Sequence, residues 1–525
     1  MKIHFTLVCL FLQIITFAQF EENVAEMGNW QDPDAPIIAP NWIASKYHDI
    51  WGVEVNGKEY AIMSTRIGTH IIDVEDAADL KVLHTIPAAY QGDFAVHRDF
   101  HDYNGYLYVV CDEGPSTLQI IDIRNLPDTI SVVYDSNELF KTSHNIFIDT
   151  ANAKLYAAGA SSANVLVATL VNPEKPRLMY KYNDGYIHDL YVRDNIGYLN
   201  KADDGLFVVE FGNSDFTVLG SLTNYPDQGY NHSGWLSEDG NYYALCDETH
   251  GLKVKLLDVS DPADIKFVSL FGADVTNNSI AHNVIIKDNY AFVSYYYDGL
   301  QVFDISNPEE VNKVGQYDTY LENNEASYKG AWGVYPNLKS EKILVSDMQT
   351  GLYVFEMELA PVADFEIDFD GGTTASFVNK SRWKPTAYEW TINGETEVVS
   401  TEANPVYDLV ANDITEVCLT VSNAKGESTR CKEFNLVSTP NYFVNSNINY
   451  NIDGDNIEIN YVLNKNKQIS YSLFDVNGKV IYTNTINENA GSVNHKISLP
   501  ITNKLLILSL QSGNAVWSEK LVNLP

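Results

Sequence analysis

Between residues 51 and 332 the chain repeats one pattern seven times: a Trp or His, an apolar strand, a second strand rich in Tyr, a glycine-type turn, and a third strand ending near Asp or Glu. The markers are Trp51, His97, His144, His188, His232, His282 and Trp332, spaced by 46, 47, 44, 44, 50 and 50 residues. A period of that length built from short strands predicts a seven-bladed β-propeller. In such a fold the innermost strands start around one axis, so residues scattered along the chain become a single ring at one mouth of a central channel.

The sixth copy is the clearest: "HNVII", then "NYAFVSYY", the turn Asp298-Gly299, "LQVFDIS" with Asn307-Pro308, and a fourth run "VNKVGQY". Four antiparallel strands make one blade. The third strand recurs as "THIIDV", "LQIIDI", "VLVATL", "LFVVEF", "VKLLDV", "LQVFDI" and "LYVFEM", and only the third copy lacks the acidic residue. The seventh copy runs into Ala360-Pro361 with no fourth strand, which leaves a sheet edge to be covered. Residues 24–31, "VAEMGNWQ", carry an apolar residue, Gly and an aromatic at the same offsets as "VNKVGQYD" at 311–318. Residues 23–31 are therefore expected to close blade seven.

Imidazole is the commonest transition-metal ligand among side chains, and His97, His144, His188, His232 and His282 converging on an axis would suit copper, zinc or iron. Two other readings stay open. Each imidazole bonds the backbone of its own crowded blade, or the ring offers polar contacts to a ligand at the channel mouth. Asp112-Glu113 and Asp247-Glu248 put paired carboxylates on the turns after the second strands of two blades. There they read as solvated turn residues, with calcium binding or acid–base work as the alternative. His97-Arg98-Asp99 copies three letters of a kinase catalytic loop, but no glycine loop or strand lysine surrounds it. No nucleophile elbow, zinc-protease helix, phosphate loop or dinucleotide fingerprint appears.

Seventy acidic against 34 basic residues give a formal charge of −36, which repels nucleic-acid phosphate and anionic membranes. Lys2, the mostly apolar run from Phe5 to Phe17 and the small residues of Thr16-Phe17-Ala18 read as a signal peptide over residues 1–18. That run is too short to span a bilayer, and no later segment approaches the roughly 18 apolar residues a spanning helix requires. Export places the mature chain in an oxidising compartment. Cys418 and Cys431 flank "CLTVSNAKGESTRC" and are symmetric about its turn, which predicts a cross-strand disulfide. Cys111 and Cys246, at equivalent places in two blades, are expected to be buried thiols held apart.

The copies of "LQVFDISNP" resemble the LVIVD repeat, and residues 22–358 resemble the choice-of-anchor B propeller proteins of bacteria. That resemblance implies a fold and no established reaction. Residues 360–437 change to short strands and polar turns. On "YEWTING", Asn404-Pro405 and "LTVSNAKGES" they resemble the PKD domain, an immunoglobulin-like β-sandwich in which Trp390 is the core tryptophan. Residues 441–525 form a further small β-sandwich, with a hairpin turn at Asp475–Gly478. From Ile469 onward, on "SLFDVNGKVIY", they resemble the type A sorting domain of the type IX secretion system, although "KLLILSL" lacks the family's preceding Gly. These resemblances imply passage across the outer membrane by the type IX machinery, then release or attachment at the cell surface. The resulting expectation is an all-β, secreted or surface binding protein over residues 19–359, taking a glycan, peptide or surface protein at the axial mouth. A metal-dependent extracellular oxidoreductase using the five histidines is the alternative.

Overall fold

The computed structural model describes residues 21–38, 43–322, 328–369, 374–394, 397–408, 416–433, 448–453, 456–463, 466–475, 479–498, 505–512 and 515–522. The expected signal peptide and residues 476–478 of the expected hairpin turn lie outside them. The chain divides into two compact units, Met1–Leu359 and Ala360–Pro525.

The first unit is a β-propeller. Its described residues form seven sheets, each with four strands in simple up-and-down order, apart from a fifth short strand on one. The innermost strands are Tyr47–Val55, Arg98–Tyr103, Asn145–Asp149, Asp189–Arg193, Asn231–Leu236, Asn283–Lys287 and Ala331–Tyr335. Each lies beside the next, and the seventh returns to the first. Buried second and third strands explain the apolar runs: Tyr60–Met63, Leu155–Ala158 and Val254–Leu257 are almost wholly excluded from solvent.

The recurring acidic residue at the end of the third strand has a local cause. Asp73, Asp122, Asp258 and Asp304 each accept a hydrogen bond from the backbone N–H two residues on, at 2.9, 3.1, 3.0 and 2.8 Å. They cap the turn into the fourth strand. In the third copy the Thr169 hydroxyl accepts the equivalent bond from Val171 at 3.3 Å, so the missing acid changes the residue and keeps the turn.

The outer strand of the seventh sheet is Val24–Trp30, antiparallel to Gly351–Met357 from Val24↔Met357 to Trp30↔Leu352. Just before it, Glu21–Glu22 pairs with Asn312–Tyr317 of the sixth sheet. Gly28 sits so close to the 3-10 turn Ala77–Asp79 of the first sheet that a Cβ would lie 1.8 Å from the Ala77 carbonyl oxygen. One N-terminal segment thus touches three consecutive sheets.

In the second unit, the sheet of Phe365–Phe369, Thr374–Asn379 and Val406–Asp408 shares a core with the sheet of Ala387–Ile392, Glu416–Asn423 and Gly426–Glu433. Trp390 lies fully buried there against Phe365 and Phe377, and its indole N–H donates to the Glu402 carbonyl at 2.9 Å. It is a packing residue. Cys418 and Cys431 stand directly opposite each other in the hairpin and are disulfide-bonded. The remaining sheets, one of Asn449–Asp453, Asn456–Leu463 and Gly491–Ser498, the other of Val480–Glu488, Lys467–Phe474, Leu505–Ser512 and Ala515–Val522, enclose another apolar core around Ile459, Tyr471 and Leu508.

Candidate functional site

The residues at the start of the innermost strands build the channel in three layers. In the first, six rings follow one another around the axis. Centroid separations are 5.1 Å for His97–His144, 4.1 Å for His144–His188, 4.3 Å for His188–His232, 4.4 Å for His232–His282, 4.1 Å for His282–Trp332 and 5.4 Å back from Trp332 to His97.

Trp51 does not join this circle. The strand equivalence runs through Asp49, Asp99, Asn145, Asp189, Ser233, Asn283 and Gly333, so the first sheet's counterpart of the ring histidines is His48. His48 is fully buried, its Nδ1 2.9 Å from the Ser64 hydroxyl. Trp51, three residues and about 10 Å further along the strand, belongs to an aromatic collar nearer the opposite mouth. There it meets His101 at 4.6 Å and Tyr335 at 4.8 Å, and the collar continues through Phe147, Tyr191 and Trp235. His48 and Trp51 stand 49 and 46 residues before His97, both within the range of the repeat, so spacing alone does not separate them.

Carboxylates hold the ring from behind. The His144 Nδ1–H donates to Asp112 at 2.9 Å, and His97 bonds Glu113 through Nδ1 and, at 3.1 Å, through its backbone N–H. Burial alone would lower the His97 pKa, but the hydrogen bond and charge of Glu113 carry it above the ordinary value. Asp247 forms an ion pair with Lys255 at 2.6 Å in which both side chains are fully buried, while Glu248 accepts from the Tyr296 hydroxyl at 2.6 Å. Burial pushes the Glu248 carboxyl up to about 7. Neither acidic pair is therefore a solvated turn; both point inward and are engaged by protein groups.

The remaining imidazoles are neutral. Burial and the neighbouring histidines hold His188 and His232 well below the usual range, and burial takes His282 down to about 3. The His282 Nδ1–H donates to the Trp332 carbonyl at 2.6 Å. Nδ1 of His188 and Nδ1 of His232 are buried without a hydrogen-bond partner.

The second layer is polar. A cavity of about 30 Å³ lies between the ring and Asp49, Asp99, Asn145, Asp189 and Asn283, and continues into one of about 60 Å³ bounded by the collar. Gly333 completes the layer because Asp49 fills its space: a Cβ there would lie 1.9 Å from Asp49 Oδ1. The three carboxylates accept only backbone N–H groups, from Ile50, from Phe100 and Ile146, and from Leu190. Among the described residues no ammonium or guanidinium forms an ion pair with them. Burial raises Asp49 to about 7 and Asp189 to about 8; Asp99 is raised well above its ordinary value by burial and by the charge of Asp49.

On the outer side of the ring, a vestibule of about 200 Å³ is lined by Ile43, Val96, His97, Glu248, Tyr296, Tyr328 and Trp332. The collar mouth holds a shallower hollow of about 290 Å³ that reaches Arg193 and Asn337. Cys111 and Cys246 are buried free thiols, the former raised to about 11 by burial. Arg98, of the kinase-like triplet, is buried and donates to the Arg66 and Tyr90 carbonyls.

The LVIVD repeat model matches residues 279–319, which contain the four main strands of the sixth sheet. No curated protein matches the chain. Among solved structures, the β-propeller domain of Myceliophteria thermophila Cps50 (Swd1) is 10% identical and covers 64% of this chain and 99% of its own, with a TM-score of 0.41. U3-55K is 10% identical over 58% of this chain and 98% of its own, with a TM-score of 0.43. A functionally unknown protein from Desulfotomaculum acetoxidans is 14% identical over 52% of this chain and 86% of its own, with a TM-score of 0.40.

Proposed function

We propose that this chain is an exported interaction protein. Its seven sheets act as a seven-bladed propeller that binds an extracellular ligand in the vestibule above the histidine ring. The observation that carries the reading is the chemistry of that vestibule. Trp332 and Tyr328, backed by the buried Tyr296, offer apolar faces around two polar groups, His97 and Glu248, in a concavity large enough for one sugar ring or one side chain. The matching occupant is a residue of a surface glycan, a peptide or a surface protein, with its apolar face on the rings and its hydroxyl or amide groups on Glu248 and His97.

The rest of the chain is read to fit. Residues 1–18 direct export, the Trp390 sandwich acts as a PKD-like spacer, and the C-terminal sandwich serves as a type A sorting domain for type IX secretion, leading to release or surface attachment. The absence of a long apolar helix among the described residues accords with that route. The negative net charge disfavours nucleic acid as a partner.

Screening the full chain against glycan and peptide arrays tests the vestibule. Glu248→Gln is expected to weaken the selected ligand about tenfold or more, through loss of a charge-assisted hydrogen bond, while Trp235→Ala in the collar leaves it unchanged. The reverse pattern would move the ligand to the other mouth and end this reading.

A further inference from the structure

We propose that His144, His188 and His232 bind one divalent transition-metal ion on the propeller axis, a site distinct from the vestibule but adjoining it, since Glu248 Oε2 lies 3.7 Å from His232 Nε2. Each of the three offers one ring nitrogen, and these nitrogens lie within 4.8 Å of one another. Coordination at about 2.0–2.1 Å requires only a small inward closure of rings already 4.1 and 4.3 Å apart by centroid.

Two further observations favour a metal over simple packing. Nδ1 of His188 and Nδ1 of His232 close no short hydrogen bond although the side chains are only 7% and 4% exposed, and the backbones of His232 and His282 lie beside the two rings. By contrast, the His144 Nδ1–H is already oriented by Asp112 at 2.9 Å, the carboxylate–imidazole arrangement that presents the other nitrogen to a metal.

The surroundings supply room: a cavity of about 30 Å³ adjoins the ring, lined on its far side by Asp49, Asp99 and Asp189. The all-nitrogen donor set selects zinc, copper, nickel or iron over calcium and magnesium, which prefer oxygen. Three protein ligands leave a further coordination position open to the cavity.

The test uses the untagged full chain, purified without chelators, then stripped and titrated with Zn²⁺ and with Co²⁺ as an optical probe. About one ion per chain is expected, with a Co²⁺ spectrum of low-coordinate nitrogen ligation. His188→Ala and His232→Ala are each expected to weaken binding about a hundredfold or more, and Asp112→Asn about ten- to a hundredfold. His101→Ala, in the collar, is expected to change nothing. Circular dichroism checks that each variant is folded, and Asp112→Asn, which keeps every imidazole, serves if an alanine variant is not. Failure to take up either ion overturns the proposal, and so does stoichiometric uptake indifferent to all three ring substitutions. Ligand binding by the vestibule, read on the same preparations with Tyr328→Ala, a vestibule residue outside the ring, stands or falls separately.

Discussion

Gly333 and Asp49 show how single residues shape the channel. Because Asp49 Oδ1 occupies the place of a Cβ, Gly333→Ala forces the carboxylate or the strand to move. The expected cost is about 1–3 kcal/mol, read as a lower urea midpoint with an unchanged slope. Asp49 also sets a pH dependence. Its folded pKa is about 7, against an unfolded value near 4, so between these the native state keeps a proton that the unfolded chain has released. Its contribution to stability is therefore greatest below about pH 4 and is lost as pH rises towards 7. Unfolding curves across that range are expected to show this decline in the wild type and a flatter profile in Asp49→Asn. Six of the seven channel residues, five histidines and Trp332, were legible as markers because the copies restart on His or Trp. His48 was not, since Trp51, three positions on, fits the repeat spacing equally well. The inward turn of Asp112, Glu113, Asp247 and Glu248 was also hidden, because their partners His144, His97, Lys255 and Tyr296 lie 8 to 48 positions away in sequence, where only the fold brings them close.

At the scale of the strand, the repeat was readable because it is local. Apolar alternation, turn residues and the carboxylate that caps four of the third strands all act within a few positions of themselves. The substitution of Thr169 for the acid shows that the turn, not the charge, is what the pattern encodes. Pairing of Val24–Trp30 with Gly351–Met357 is of another kind, visible only through a matching Gly and aromatic at distant positions. Deleting residues 21–30 exposes the edge of the seventh sheet and removes its neighbours on the sixth and first. Calorimetry is expected to show one transition for the propeller shifted down as a whole, whereas an unchanged melting temperature would mean the strand is dispensable. In the second unit, the Cys418–Cys431 bridge closes a loop of 14 residues, a constraint of about 3 kcal/mol in the chain-entropy account. Limited proteolysis is expected to cut within residues 360–433 faster after reduction, and equally fast in Cys418→Ser with or without reductant.

Over the whole molecule, 70 acidic side chains against 34 basic ones make compaction work against self-repulsion. Raising ionic strength from low to physiological values is expected to raise the melting temperature, since the Debye length shortens to about 8 Å; a fall would point to net stabilisation by surface ion pairs instead. The N-terminal strand carries a temporal meaning as well. Val24 is made early, yet its partner Met357 is not available until more than three hundred further residues have followed. The ring stays unlatched throughout that interval, so the first sheets are left to form one by one without their final neighbour. A chain of this design postpones the closing of its ring until the last strand of the propeller has been made.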